Sequence, residues 1–334
     1  MTLKKGTVSN IAFGGDGVIR DEGKVVFTPF VLPGELVEFE ITQAKKTHAF
    51  GRLIQVLTEH PQRIQPKCEY YGRCGGCQLQ HASYELQLKI KQQFVQDAFT
   101  RIGKLSDVQI EPIIGTDKQW AYRRRIRLHE RNGKTGFIGV DGHSLVEITH
   151  CEIFSGASLD MDDDIFVQAH PEQSEKLYRD IEAAVEQLCS ENTSMRLLDL
   201  YCGTGILTAR LAEFGKVTAV ELNAKAIAWA KKHHPENIDW QIADVAKVCA
   251  STLKREQPDI VLINPPRTGL HREVVEALCE RPAKHVFYTS CMPATLARDL
   301  KILCEAGYQI VKCQPYDLFP QTTHVETVVQ LCFR

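Results

Sequence analysis

Long apolar runs are missing from this chain. Nowhere in its 334 residues do 18 apolar residues follow one another, which excludes the length of helix needed to span a bilayer. Met1-Thr2-Leu3-Lys4-Lys5 is not followed by an apolar signal core, so secretion is not expected and the cytoplasm is the expected compartment. Charge of one sign is also missing: 40 basic residues stand against 42 acidic ones, for a formal net charge of −2. There is no internal repeat and no low-complexity tract, which leaves out solenoids and biased linkers. The composition is 43% apolar and 25% charged, as in ordinary globular protein, and at about 150 residues per domain the length points to two or three domains. Cysteine is plentiful, with 12 residues. Without a secretion signal these read as thiols, metal ligands or nucleophiles and not as a disulfide framework.

Regional charge is uneven: +1 over residues 1–58, +3 over 59–155 and −6 over 156–334. The first region is all-β in pattern. Val37, Phe39 and Ile41 alternate with Glu38 and Glu40, and Gly14-Gly15-Asp16-Gly17, Asp21-Glu22-Gly23 and Pro33-Gly34 punctuate short strands. Short strands in so few residues bury a core by closing on themselves, so a small barrel of OB type is expected. The second region is mixed α+β. Leu86, Ile90, Phe94, Ala98 and Ile102 recur every four residues between Ser83 and Gly103, predicting a helix over 84–102 with Ser83 as its N-cap. Residues 121–128 read as a strand. The segment 118–131 holds six basic residues against Glu130, and period-two alternation in that strand would set Arg123, Arg125 and Arg127 on one face, where a polyanion would neutralise them. Salt bridges to the acidic run Asp160 to Asp164 are the alternative; that run itself reads as a solvated connector.

From residue 195 onward, strand-like runs (196–200, 217–221, 238–243, 259–264, 285–290, 309–314, 326–331) alternate with helical stretches such as 206–214, 224–233 and 294–305. That is the pattern of an α/β, doubly wound and mainly parallel sheet. The turn Asp199-Leu200-Tyr201-Cys202-Gly203-Thr204-Gly205 closes the first strand. Glycines there admit a ligand close to the backbone, and Glu221 at the next strand end can accept from ribose hydroxyls. The turn lacks the third glycine of the dinucleotide fingerprint, so no pyrophosphate is required. Asp244 ends the third strand and Asn264-Pro265-Pro266-Arg267 the fourth, an order that resembles S-adenosylmethionine methyltransferases. An aromatic after Asn-Pro-Pro would point to methyl transfer onto nitrogen; Arg267 points away from it.

Cys291 closes the fifth strand, where the helix that follows supplies N–H groups and a dipole favouring thiolate. Glu326, 35 residues on, opens an apolar strand whose burial would raise its pKa towards that of a working base; His324 competes for that role. Cys68, Cys74 and Cys77 crowd one loop, and Cys151 supplies a fourth ligand. This asymmetric spacing fits an iron–sulfur cradle better than the paired ligands of a zinc finger. Zinc and unliganded thiols are the alternatives.

Taken together, these residues resemble the RNA uracil-5-methyltransferases over nearly the whole chain, in particular the iron–sulfur branch acting on 23S ribosomal RNA. The resemblance implies a TRAM RNA-binding barrel (1–58), a central iron–sulfur and RNA-binding domain (59–155) and a Rossmann-like class I methyltransferase domain (156–334). It implies a [4Fe–4S] cluster on Cys68, Cys74, Cys77 and Cys151, and S-adenosylmethionine contacts from Gln168 (in Phe166-Val167-Gln168), Tyr201, Glu221, Asp244 and Asn264. It further implies Cys291 as the nucleophile, adding to carbon 6 of a flipped-out uracil, Glu326 as the acceptor of the carbon 5 proton, and RNA contacts from Arg123, Arg125, Arg127 and Arg267. No obligate protein partner is implied. The chain departs from the family pattern at Ile206, often Asn, at Met292, usually Asn, and in having only 16 residues between Cys151 and Gln168. The same chemistry on tRNA, or an RNA-binding protein with a degenerate cofactor pocket, are the other readings.

Overall fold

The computed structural model describes residues 3–156, 165, 168–189 and 195–333. Contacts divide it into two units: residues 1–94, 117–157 and 319–323, and residues 95–116, 158–318 and 324–334. The division is not contiguous in sequence. Residues 95–116, grouped by sequence with the centre of the chain, pack Val95, Phe99, Val108 and Ile113 on the core of the second unit.

In the first unit, β1 (Leu3–Ile11), β2 (Gly17–Asp21), β3 (Lys24–Thr28), β4 (Leu36–Ala44) and β5 (His48–Thr58) close a barrel in the order β1-β2-β3-β5-β4, as expected. Closure leaves no free edge. Val37 and Phe39 point into its core with Val8, Ile19 and Val26, while Glu40, buried on the opposite face, is held by Arg52 Nη2 at 2.5 Å. The helix α1 (Tyr84–Ala98) starts at Ser83, whose Oγ accepts from Leu86 N at 3.3 Å. Leu86, Ile90 and Phe94 join the barrel core. The α-helical hydrogen bonding ends earlier than predicted, at Ala98, and one wider π turn carries the chain to Gly103.

The predicted strand over 121–128 is not there. Strand geometry is confined to a small sheet of β6 (His129–Arg131), β7 (Lys134–Ile138) and β8 (Leu145–Glu147). Residues 121–128 spend their backbone on single links instead: Ala121 N donates to Glu152 O, Arg123 N to Ile153 O, and Ser155 N to Arg123 O. Without a pleat, the single face of Arg123, Arg125 and Arg127 has no basis. The acidic run Asp160 to Asp164 lies outside the described residues.

The second unit is a seven-stranded sheet flanked by helices. Its strands are β9 (Met195–Leu200), β10 (Gly215–Glu221), β11 (Ile238–Ile242), β12 (Ile260–Ile263), β13 (His285–Ser290), β14 (Tyr308–Tyr316) and β15 (Glu326–Phe333), in the order β11-β10-β9-β12-β13-β15-β14. The first five run parallel, and β15 enters antiparallel between β13 and β14. β12 is buried at every position, Ile260 to Ile263, as a strand covered on both faces must be. The helices are α2 (Pro171–Cys189), α3 (Ile206–Leu211), α4 (Ala224–His233), α5 (Val245–Glu256), α6 (Arg272–Glu280) and α7 (Pro293–Glu305). No helix among the described residues is long and apolar enough to cross a membrane.

Candidate active site

Parallel strands bring their C-terminal ends to one edge, and ligands of such sheets bind there. Tyr201, Glu221, Asp244, Asn264 and Cys291 each follow or end one of these strands. β15 runs the other way, so its first residue, Glu326, arrives at the same edge.

The turn after β9 is left-handed at three residues: Tyr201 (φ 62°), Gly203 (φ 57°) and Gly205 (φ 70°). Glycine is required at 205 on two counts. Its φ disfavours a side chain, and a Cβ there would stand 2.2 Å from the Trp240 ring. His234 stacks on Trp240 with ring centroids 6.0 Å apart, and its Nε2 lies 2.8 Å from Thr204 O. Both carboxylate oxygens of Glu221 accept from backbone, Oε2 from Gly203 N at 3.1 Å and Oε1 from Asn223 N at 2.8 Å. Each oxygen keeps a second lone pair for a ligand. Asp244 caps α5 by accepting from Ala246 N at 3.1 Å. Asn264 is exposed, its N–H held by Leu200 O at 3.3 Å. Beneath the turn lies Asp199, 4% exposed, accepting from Thr208 Oγ1 at 2.5 Å. Burial, aided by the charge of Glu221, pushes its carboxyl up to about 7.

Gln168 Oε1 and Tyr201 Oη are buried and meet no hydrogen-bond partner among the described residues. A buried polar atom left unpaired costs on the order of 1–3 kcal/mol, so these two fit a polar ligand that completes them. Phe166 and Val167, which precede Gln168, lie outside the described residues.

On the other side of β9, Ser290 pairs with Thr327 across β13 and β15, so the next antiparallel step sets Cys291 beside Glu326. Glu326 is 3% exposed, and burial raises its carboxyl to about 8 against the opposing charge of Arg267. The rise expected from sequence is therefore present. The expected help to the Cys291 thiolate is outweighed: burial and the charge of Glu326 push the thiol up to about 11, although Arg267 acts in the other direction. Cys291 precedes Met292, the N-cap of α7, and so stands just outside the helix's first turn. Arg267 Nη2 lies 3.2 Å from His324 Nε2. A guanidinium can only donate, so that nitrogen of His324 is an acceptor.

Asp299 was not legible from sequence as part of the site. It is 1% exposed and fixes the loop that carries Arg267: its Oδ2 accepts from Leu270 N at 2.9 Å and from Tyr288 Oη at 2.7 Å. Arg298 Nη2 adds a bond to Thr268 O at 3.2 Å, and Thr295 Oγ1 one to Arg267 O at 3.3 Å. An acid among the buried Leu296, Ala297, Leu300 and Leu303 of α7 was the available signal.

In the first unit, Cys68, Cys74, Cys77 and Cys151 line one cavity of about 160 Å³ together with Arg123 and Arg127. Gly75 N donates to Ile138 O at 3.0 Å, and a Cβ on Gly75 would stand 3.0 Å from the carbonyl oxygens of Ile138 and Gly139. That close approach ties the loop to the end of β7. Tyr70 Oη bonds Thr149, two residues before Cys151, at 3.0 Å. Burial raises the thiols of Cys74 and Cys151, and that of Cys77 to about 12. No group of three or more His, Cys, Asp or Glu among the described residues is arranged to hold a metal ion. Arg123 turns inward, its Nε donating to Arg125 O at 2.9 Å.

The fold and the strand-end site define a class I methyltransferase domain carried with a small barrel. A TRAM domain model matches residues 7–54, a methyltransferase small domain model residues 147–288, and a tRNA (uracil-5-)-methyltransferase model residues 243–334. An uncharacterized RNA methyltransferase of Protochlamydia amoebophila is 33% identical over 428 aligned positions, covering 99% of this chain and 98% of its own. Another, of Halalkalibacterium halodurans, is 28% identical over 97% of this chain and 96% of its own. These alignments are longer than the 334 residues here, so the relatives carry segments this chain lacks. Among solved structures, the tRNA (uracil-54, C5)-methyltransferase of Pyrococcus abyssi, in complex with S-adenosyl-L-homocysteine, superposes with a TM-score of 0.75 at 21% identity, covering 98% of this chain and 99% of its own. The chain belongs to the RNA uracil-5-methyltransferase family. It is an S-adenosylmethionine-dependent enzyme with an RNA substrate.

Proposed function

We propose that the enzyme methylates carbon 5 of a uridine in ribosomal RNA, 23S in particular, by covalent catalysis. Carbon 5 of uracil is a poor nucleophile and needs activation. The thiolate of Cys291 adds to carbon 6, and the electron pair released onto carbon 5 takes the methyl group, leaving S-adenosylhomocysteine. Glu326 as carboxylate then removes the carbon 5 proton, the carbon 6–sulfur bond breaks, and Cys291 leaves as thiolate. The observation that carries this reading is the register that sets a nucleophile beside a buried carboxyl raised to about 8, close to the working pH of a general base. Arg267, whose charge lowers the thiol, favours the thiolate. Gln168, Tyr201, Glu221, Asp244 and Asn264 hold the methyl donor. The target base must leave its stack to reach the site.

Cys68, Cys74, Cys77 and Cys151 would hold a [4Fe–4S] cluster, which supplies no electrons to this reaction and serves to fix the loop 68–77 against the segment around 151. The support is a single cavity bordered by four thiols and two guanidiniums. A Gly76 N–H pointing at Cys74 Sγ at 3.4 Å is the kind of bond that tunes such clusters.

The second reading is the same chemistry on tRNA, favoured by the likeness to a tRNA enzyme along 98% of the chain. Mass mapping of 5-methyluridine in ribosomal and transfer RNA from a deletion strain decides between them. Loss of one 23S 5-methyluridine is expected; loss from tRNA alone replaces the first reading with the second, and no loss from either overturns both.

A further inference from the structure

α7 follows the strand end that carries Cys291, and its first turns are bonded to both loops at the site. Ser290 Oγ accepts from Met292 N at 3.2 Å. Thr295 Oγ1 lies 3.2 Å from Met292 O and 3.3 Å from Arg267 O, so one hydroxyl bridges the residue after Cys291 and the backbone of Arg267. One turn further on, Arg298 Nη2 donates to Thr268 O at 3.2 Å and to Leu270 O at 3.3 Å, and Asp299 Oδ2 accepts from Leu270 N at 2.9 Å. The loop itself is a tight turn, with Gly269 N on Pro266 O at 2.9 Å and Gly269 at φ 75°. A Cβ on Gly269 would stand 2.7 Å from Asp299 Oδ2 and 2.8 Å from Thr295 Cβ. The turn therefore rests directly on the helix.

Asp299 is the hub of this seating. Besides Leu270 N, its Oδ2 accepts from Tyr288 Oη at 2.7 Å, while Oδ1 accepts from Arg298 Nε at 2.8 Å. Tyr288 is fully buried on β13, three residues before Cys291. One carboxylate thus joins the Arg267 loop, the strand of the nucleophile and α7. Both of its oxygens meet donors, and a carboxylate accepts on both sides where an amide cannot. Arg267 is exposed, with its far end 3.2 Å from His324 Nε2. The charged groups that bear on Cys291 are Glu326 of β15, which raises the thiol, and Arg267, which lowers it by charge and by hydrogen bonding.

We propose that Asp299 is a positioning residue for the nucleophile: by seating the turn 266–270 on α7, it keeps the Arg267 guanidinium at Cys291 and so favours the thiolate. The proposal rests on the reading of Cys291 as nucleophile and adds what holds that thiol ready. Arginine has a long side chain with many rotamers, and it steadies a neighbouring charge only where its backbone is fixed. Asp299→Asn keeps the shape but turns an NH2 group onto Leu270 N–H or onto the Arg298 guanidinium, each a donor, and so loosens the seat.

The test reads the alkylation rate of Cys291 by iodoacetamide at pH 8, followed on its own peptide by mass spectrometry, in the full-length protein without RNA or methyl donor. Arg267→Gln should slow it about threefold. Losing one opposite charge raises a thiol by about one unit, which cuts the thiolate about tenfold, and the more basic thiolate recovers about threefold in nucleophilicity. Asp299→Asn should show most of that slowing, and the double variant should be no slower than Arg267→Gln alone. Thr295→Val, which deletes the hydroxyl between Met292 O and Arg267 O and leaves Asp299 in place, should slow alkylation in the wild-type background and not in Arg267→Gln; it carries the test should Asp299→Asn fail to fold. S-adenosylmethionine affinity by calorimetry should stay within twofold in each variant. An unchanged or faster rate in folded Asp299→Asn, losses that multiply in the double variant, or no slowing in Arg267→Gln overturns the proposal. A lowered melting temperature with unchanged alkylation would assign Asp299 to packing alone. Methylation is scored separately, so a thiol that responds as expected in a chain that forms no 5-methyluridine condemns the proposed reaction and not this role of Asp299.

Discussion

Cys291 lies beside Glu326 because β15 runs antiparallel to β13: Ser290 pairs with Thr327, and one further step joins the two functional groups. They are 35 residues apart in sequence and each raises the protonation demand on the site, the thiol to about 11 and the carboxyl to about 8. In the proposed reaction they act in sequence, so their variants should stop it at different points. Cys291→Ala should bind RNA and give neither product nor adduct. Glu326→Gln keeps the shape and removes the base, and should accumulate an RNA–protein adduct that survives denaturing electrophoresis and carries label from methyl-labelled S-adenosylmethionine. His324→Ala is the control: trapping of label there, with Glu326→Gln turning over normally, would transfer the base to His324.

The raised carboxyl has a thermodynamic signature as well. Glu326 holds its proton to about pH 8 when folded and gives it up near pH 4.5 when unfolded. Between those values the folded state binds the extra proton, so stability falls as pH rises, by up to about 1.4 kcal/mol per unit. Glu326→Gln has no such proton. Relative to wild type its melting temperature should therefore be higher at pH 8 than at pH 5, a difference that calorimetric scans at the two values can read. A gap that stays constant with pH would mean the carboxyl is not raised.

Gly205→Ala puts a methyl group at φ 70° and 2.2 Å from Trp240. The left-handed conformation costs about 1–2 kcal/mol for such a residue, and the indole must shift besides. A drop of several degrees in melting temperature and about tenfold weaker S-adenosylmethionine binding by calorimetry are expected. Adding Trp240→Leu should recover part of the stability, because it removes the clash and leaves only the backbone cost.

Anaerobically purified protein should be brown and contain iron and acid-labile sulfide, and Cys77→Ser should lose both. Stoichiometric zinc without iron in such a preparation would replace the cluster with a zinc site. Chelation of the metal should lower the melting temperature, since the loop 68–77 and Cys151 would lose their shared anchor.

Arg123 and Arg127 border the thiol cavity, and Arg123 spends its Nε on Arg125 O. Arg123→Ala should lower the melting temperature through that lost bond, worth about 1 kcal/mol, with little change in the salt dependence of RNA binding. A slope reduced by a full contact would instead make Arg123 a phosphate ligand.

Much of the second unit was legible in the chain. Its central strand β12, Ile260 to Ile263, is a continuous apolar run that stops at Asn264-Pro265, because a strand buried on both faces has little use for polar residues. Both the strand ends and Cys291 followed from that local pattern. The stretch 121–128 did not: its alternation of arginine with Ile126 and Leu128 is that of a strand, but no neighbouring strand offers a ladder, and backbone groups took single partners near residues 152–155 instead. Propensity of this kind is decided by what packs alongside.

What the sequence determined by itself is therefore what adjacent residues decide together: the barrel strands, the Rossmann-like alternation, the glycine turn and the crowded thiols of 68–77. Only the tertiary structure decided what depends on distant segments meeting. The antiparallel entry of β15 put Glu326 by Cys291; burial, not helix polarity, set the protonation of Cys291; Asp299 of α7 held the loop of Arg267; and bonds such as those of Gly75 and Tyr70 brought the loop 68–77 to the segment that carries Cys151. Register is a property of the packed chain, and no local pattern of residues carries it.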